Sequence, residues 1–257
     1  MTVADGKGTA EVQQLRKMLT RLEAQLVEQI KINAELEEAL KASELRALQA
    51  QINPHFLFNT LSTISAQALL EGAERTHQLV TALARLLRYS LRRISQMVTV
   101  GEELEHVGYY LLIQRARFGE GIRTVIEVEE EARGVKIPLL TLQPLVENAI
   151  IHGLKSCERG TVTIRGWVEG DRVALQVADD GVGMDEETLQ KLRRLDETGS
   201  GKSHTTGLGI ANVQRRLQYH FGEKFGLTVR SRPGHGTTVT AYIPRRSKEV
   251  GNEGSGG

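Results

Sequence analysis

Gly119 and Gly121 divide the chain into two textures, and no single regular architecture accommodates both. Before them, apolar residues recur at helical spacing. After them, short β-rich segments alternate with helical patterns, so the chain must be α+β, with a helical portion followed by a sheet-containing one. Its 257 residues suffice for two compact domains, or for one domain and a long helical element.

In the helical portion a heptad runs from Val12, with Val12, Leu19, Leu26, Asn33, Leu40 and Ala47 at one core position. Leu15, Leu22, Gln29, Leu36, Ser43 and Ala50 take the other. Leucine pairs with charged flanks fit a parallel two-stranded coiled coil, and Asn33 in the seam would fix its register. The competing reading is a single solvated helix packed on its own domain. The apolar phase shifts at Leu45, Leu48 and Ile52. Pro54 then removes a backbone donor and bends the helix. Leu57, Leu61, Ile64 and Ala68 continue a stripe, Gly72 marks a turn, and Leu79, Leu83, Leu86, Leu87 and Ile94 return antiparallel. Two such hairpins from two chains make four helices. Thr99 with Glu102 reads as a capping box opening a helix through Phe118, which Gly119 and Gly121 close.

Strands are expected at Ile122–Val128, Thr161–Val168, Arg172–Ala178, Leu227–Ser231 and Thr237–Ile243. Helices are expected at Pro138–Leu154, Glu186–Leu195 and Ile210–Phe221, covering one face of a mixed sheet in an α/β sandwich.

The 33 basic and 32 acidic residues nearly cancel, giving no global field for nucleic acid or an anionic membrane. The single cysteine, Cys157, allows no internal disulfide, and no Cys/His spacing suggests zinc, so a reducing cytosol is the natural compartment. No run approaches the roughly 18 consecutive apolar residues of a membrane helix, and no secretory pattern opens the chain. It reads as soluble and cytoplasmic. Either it is the cytoplasmic portion of a membrane receptor, or it takes its signal from a separate input protein.

Three segments carry chemistry. Glu147-Asn148-Ala149-Ile150-Ile151-His152-Gly153 puts two polar residues after an apolar helical run. The Asn148 carbonyl is a hard ligand suited to magnesium, and the Glu147 carboxylate can hold a metal-bound water or accept a proton. Asn148 and His152 share a helix face. Asp179-Asp180-Gly181-Val182-Gly183 ends a strand, where Asp179 can accept from an adenine amino group while Gly181 and Gly183 let the backbone approach and turn. Gly199–Gly209 reads as a mobile lid leading through Gly207-Leu208-Gly209 into a helix whose free amides favour phosphate. In the lid, Lys202 and His204 read either as contacts to a terminal phosphate or as a solvated loop pair. Each segment alone is an ordinary helix end, strand turn or surface loop; their order on one chain is what points to a nucleotide. His55, within Asn53-Pro54-His55-Phe56-Leu57-Phe58-Asn59, supplies a nucleophilic imidazole. His77, His106, His220 and His235 find no ligand cluster and read as surface or packing residues.

Over roughly residues 44–244 these blocks resemble the sensor histidine kinases of the LytS/YesM type. Their catalytic domain is of the gyrase, chaperone, histidine kinase and MutL superfamily, the Bergerat-type ATP-binding fold. The resemblance implies ATP and Mg2+ as cofactors, His55 as the phosphorylated residue, Asn148 as the magnesium ligand and Glu147 as its acidic neighbour. It assigns adenine recognition to Asp179 with support from Thr237, and the nucleotide frame to Gly181, Gly183, Gly207 and Gly209. It also implies a homodimer that passes phosphoryl groups to an aspartate of a response regulator receiver domain. Where the family often carries lysine three residues after the asparagine, this chain has Ile151, leaving Lys155 and His152 as substitutes. No acid follows His55, so its proton acceptor is either Glu147 or solvent. The rival readings are an ATP-hydrolysing clamp and a dimeric adaptor that binds nucleotide without transfer. The expected layout is a flexible 1–10, a coiled coil at 11–43, dimerisation and phosphotransfer helices at 44–118, a catalytic domain at 119–246 and a disordered tail at 247–257.

Overall fold

The computed structural model describes residues 54–91, 96–154, 157–190, 192 and 208–245, with backbone alone at 120 and 208. The coiled-coil reading and the bend before Pro54 lie outside these residues. Residues 1–60 and 61–257 separate as two units. Of the first, the described part is the opening of helix α1 (Pro54–Leu70).

In the second unit, α1 turns through Gly72, which stands in the left-handed region at φ 71°, into α2 (Glu74–Ser90). The hairpin is tied near its turn by Ser65, whose hydroxyl lies 2.9 Å from His77 Nδ1 and 3.0 Å from the Thr81 hydroxyl. Strand β1 (Met97–Thr99) leads into α3 (Val100–Phe118), and the capping box forms as the sequence predicts. Thr99 Oγ1 accepts the Glu102 amide at 3.2 Å, and Glu102 accepts the Thr99 amide at 2.8 Å. Gly119, at φ 70°, ends the helix.

Strands β2 (Ile122–Val128), β4 (Gly160–Glu169), β5 (Arg172–Asp179), β6 (Gly226–Ser231) and β7 (Thr237–Pro244) form one sheet in the order β2-β4-β5-β7-β6. β2 and β4 run parallel and the other pairs antiparallel, a mixed sheet as expected. Between β2 and β4 come the short α4 (Glu130–Arg133), strand β3 (Lys136–Pro138) and helix α5 (Leu142–Asn148); α6 (Leu208–Phe221) precedes β6.

Alternate residues of the central strands, Val162 and Ile164, Val173, Leu175 and Val177, Val239, Ala241 and Ile243, bury one face of the sheet. They share a core with Leu104, Val107 and Leu111 of α3, Leu142 and Leu145 of α5, and Val213 and Leu217 of α6. The layer boundary read at residue 119 thus falls inside one core, because α3 turns its apolar stripe to the same interior as the sheet.

One helix is shorter than expected. The segment read as helical from Pro138 begins as β3, paired antiparallel with β1 in the register Val98↔Ile137, and α5 opens only at Leu142. At its far end α5 widens into a π-turn over Ala149–Gly153, closed by the Leu154 amide on the Ala149 carbonyl at 3.0 Å. Among the described residues no helix is long and apolar enough to cross a membrane.

Candidate functional site

His55 sits exposed in the first turn of α1. Asn59, one turn on, holds its amide nitrogen 3.4 Å from Nδ1 and 3.3 Å from Nε2 of the imidazole. The neighbouring Phe56 is exposed as well.

In the sheet domain, α5 delivers Glu147 and Asn148. The Asn148 Nδ2 group donates to the Pro144 carbonyl at 2.7 Å, so the amide is oriented and its Oδ1 is not committed to that bond. Gly209 lies against it: a Cβ there would stand 3.4 Å from Asn148 Nδ2. The opening turn of α6 therefore abuts the asparagine, bringing together two residues that the sequence linked only by motif order. Glu147 Oε1 accepts from Gln143 Nε2 at 2.6 Å. The Glu147 charge acts on Tyr110 of α3, whose phenol is raised above its ordinary value chiefly by burial and next by that carboxylate.

Asp179 ends β5 with 9% of its surface exposed. Its Oδ1 accepts the Gly181 amide at 3.0 Å and the Thr237 amide at 3.2 Å. Burial raises the carboxyl above its usual range; the two amides pull the other way, and the Asp180 charge adds to the rise. At the π-turn the Gly153 backbone meets the Asp179 turn, where the Val182 amide donates to the Gly153 carbonyl at 3.0 Å. A side chain at 181 would collide with that carbonyl. Gly183, at φ 66°, packs on the Arg232 carbonyl, so here both conformation and space require glycine.

Ser231 locks the turn to the β6–β7 loop. Its hydroxyl accepts the Met184 amide at 2.8 Å and lies 2.9 Å from both the Gly236 carbonyl and Thr237 Oγ1. Sequence reading saw Ser231 only as a strand end.

Of the residues named from the sequence, Asp179, Gly181, Gly183 and Thr237 are gathered at one end of the sheet, and Asn148 and Gly209 at the α5–α6 contact, with Glu147 next to Asn148 on α5 and bonded to Gln143. His152 is exposed on the π-turn, as is Ile151. Leu208 opens α6. Lys155, Lys202 and Gly207 lie outside the described residues.

Reading from sequence also passed over a buried polar group behind α5. Glu103, fully buried, accepts the Tyr89 hydroxyl at 2.6 Å, the Leu140 amide at 2.6 Å and the Leu142 amide at 2.9 Å. Arg216 of α6 donates to the Leu140 carbonyl at 2.6 Å. These bonds hold Leu140 at φ 61°, a conformation costly for leucine, and so set where α5 begins. Burial raises the Glu103 carboxyl, against the pull of those donors and of the Arg216 charge.

As to a metal, no three His, Cys, Asp or Glu side chains cluster to hold one among the described residues. A lone hard oxygen on Asn148 suits magnesium, which keeps its waters and shares substrate phosphates, and does not suit a metal needing a protein cage.

Residues 43–122 match the family model described as "Histidine kinase", and residues 135–247 that described as "Histidine kinase-, DNA gyrase B-, and HSP90-like ATPase". The chain is 36% identical over 241 residues to the sensor histidine kinase YesM of Bacillus subtilis (strain 168), covering 93% of this chain and 40% of that protein. Over 236 residues it is 36% identical to the sensor histidine kinase YpdA of Escherichia coli (strain K12), covering 91% and 39%. The sensor protein LytS of Oceanobacillus iheyensis is 33% identical over 249 residues, covering 96% and 40%. The chain belongs to the sensor histidine kinases. It spans about two fifths of the length of the curated relatives it matches. Among solved structures, the histidine kinase domain of the Erythrobacter litoralis EL346 blue-light activated histidine kinase aligns with 75% of this chain and 94% of that one, at 18% identity and a TM-score of 0.44. For a histidine kinase, the two matched segments correspond to the two textures of the sequence.

Proposed function

We propose that this chain binds Mg-ATP, transfers the γ-phosphoryl group to His55, and passes it on to an aspartate of a response regulator. The observation that carries the reading is the preformed Asp179 turn. With Oδ1 taken by Gly181 and Thr237, Oδ2 remains to accept the amino group of adenine. Asn148, through its carbonyl oxygen, holds the magnesium ion, which when bound neutralises phosphate charge. Gly181, Gly183, Gly207 and Gly209 let backbone approach the nucleotide, and the amides opening α6 at Leu208 receive its phosphates. His152, Lys155 and Lys202 are the candidate phosphate contacts.

Catalysis of this transfer is chiefly positioning. The lone pair of one His55 nitrogen attacks the γ-phosphorus in line; an N–P bond forms as the bond to the bridging oxygen breaks, and ADP leaves with that electron pair. The proton lost from the imidazole passes to Glu147 or to water. In the second step the receiver aspartate takes the phosphoryl group and the imidazole is regenerated.

We further propose a homodimer built on the α1–α2 hairpin, whose Ile64, Leu69, Leu70 and Leu83 remain exposed on one chain. The need for ATP and a receiver partner assigns the activity to the cytoplasm, with input from a membrane sensor region or a separate protein. Incubation with γ-labelled ATP tests the assignment. Wild-type protein acquires an acid-labile label, and His55→Gln loses it while still binding nucleotide. Persistent acid-labile label in that variant removes His55 from the role.

A further inference from the structure

On α5, Gln143 stands one turn before Glu147, and its amide is used at both ends. Nε2 donates to Glu147 Oε1 at 2.6 Å, and Oε1 faces His106 Nε2 in a short hydrogen bond. An amide oxygen only accepts, so His106 must carry its proton on Nε2, and the donors run in one direction from His106 through Gln143 to Glu147. His106 has little freedom to do otherwise. It is 2% exposed, and its ring stacks on Tyr89 with centroids 3.8 Å apart and planes 18° from parallel. The Tyr89 hydroxyl is fixed in turn on buried Glu103.

We propose that Gln143 and His106 are positioning residues for the Glu147 carboxylate, with Tyr89 at the end of α2 clamping the imidazole that directs them. The proposal rests on reading Glu147 as the acid of the transfer site. The physical basis is orientational. A glutamate has several rotatable bonds, and a neighbouring glutamine not held at its oxygen would be free to swing its nitrogen away from the carboxylate. With His106 donating to Oε1, only the attractive orientation is stabilised, and the cost of ordering Glu147 is met before substrate arrives. Because Tyr89 belongs to the helix following the acceptor helix, the same stack ties the setting of Glu147 to the end of α2.

The test measures, on the full chain, the initial rate of acid-labile labelling at saturating Mg-ATP, ATP affinity by displacement of a fluorescent nucleotide, and melting temperature. His106→Phe keeps a ring against Tyr89 and removes the donor; Gln143→Met removes the amide from a half-buried position and serves if the first variant does not fold. Each is expected to lower the labelling rate about tenfold or more with ATP affinity unchanged. His106→Gln, which retains an N–H donor, is expected to recover part of the rate. In a Glu147→Gln background His106→Phe should cause no further loss, because it acts through that carboxylate.

Wild-type labelling rates in both His106→Phe and Gln143→Met overturn the proposal. So does a loss equally large in the Glu147→Gln background, or one that tracks ATP affinity, either of which marks a purely structural role. If Glu147→Gln by itself labels at the wild-type rate, the reading of Glu147 falls and the positioning role with it. That failure is read before any His106 variant is compared.

Discussion

Asp179 is held under opposing demands. The adenine contact proposed for it needs its carboxylate, yet burial favours the protonated form, so the folded chain binds this proton more tightly than the unfolded chain does. The sign follows from linkage: the group's stabilising contribution is complete below the ordinary value of 3.8 and is lost as pH rises through the raised folded value. Asp179→Asn keeps an oxygen for the Gly181 and Thr237 amides and carries no charge. Its unfolding free energy, followed by denaturant titration across that window, should therefore fall less with rising pH than that of the wild type. Its ATP affinity should drop about 10- to 100-fold, the range for a hydrogen bond to a charged group. A variant that binds ATP normally would remove Asp179 from adenine recognition.

For the elements, location decides magnitude. The capping box at Thr99 is largely solvent-facing, and Thr99→Ala is expected to cost about 1 kcal/mol in chemical denaturation. Glu103, one turn into the same helix, is fully buried and serves three donors on α2 and the start of α5. Glu103→Ala strands all three and should cost about 3 kcal/mol or more, with a wider loss of ATP binding as the Leu140 turn relaxes. Equal costs for the two substitutions would refute this ranking. Local signals explain what could be read here: α3 begins at its capping box and ends at Gly119, and the five sheet strands lie within a residue of their expected ends because β alternation and turn glycines mark them. The α5 region was misread because Lys136–Pro138 owes its extended form to pairing with Met97–Thr99, some forty residues away. The π-turn is likewise set by Gly153 docking on Asp179.

On the scale of the molecule, the hairpin and the sheet domain answer to different requirements. The hairpin leaves Ile64 and Leu83 exposed, consistent with burial against a second copy. Ile64→Glu or Leu83→Glu should convert a dimer to a monomer by light scattering at micromolar concentration; a wild-type chain already monomeric there would contradict the homodimer. The sequence by itself determined the α+β class, the hairpin, the strand segments and the motif residues around His55, Glu147, Asn148 and Asp179, because periodicity, caps and glycines act over a few neighbouring positions. Only the tertiary structure decided that α3 shares the core of the sheet, that Ser231 locks the Asp179 turn, and that His106 reaches Glu147 through Gln143. Those contacts join segments tens of residues apart, and their free energy comes from burial and from satisfying polar groups that meet only once the layers have packed.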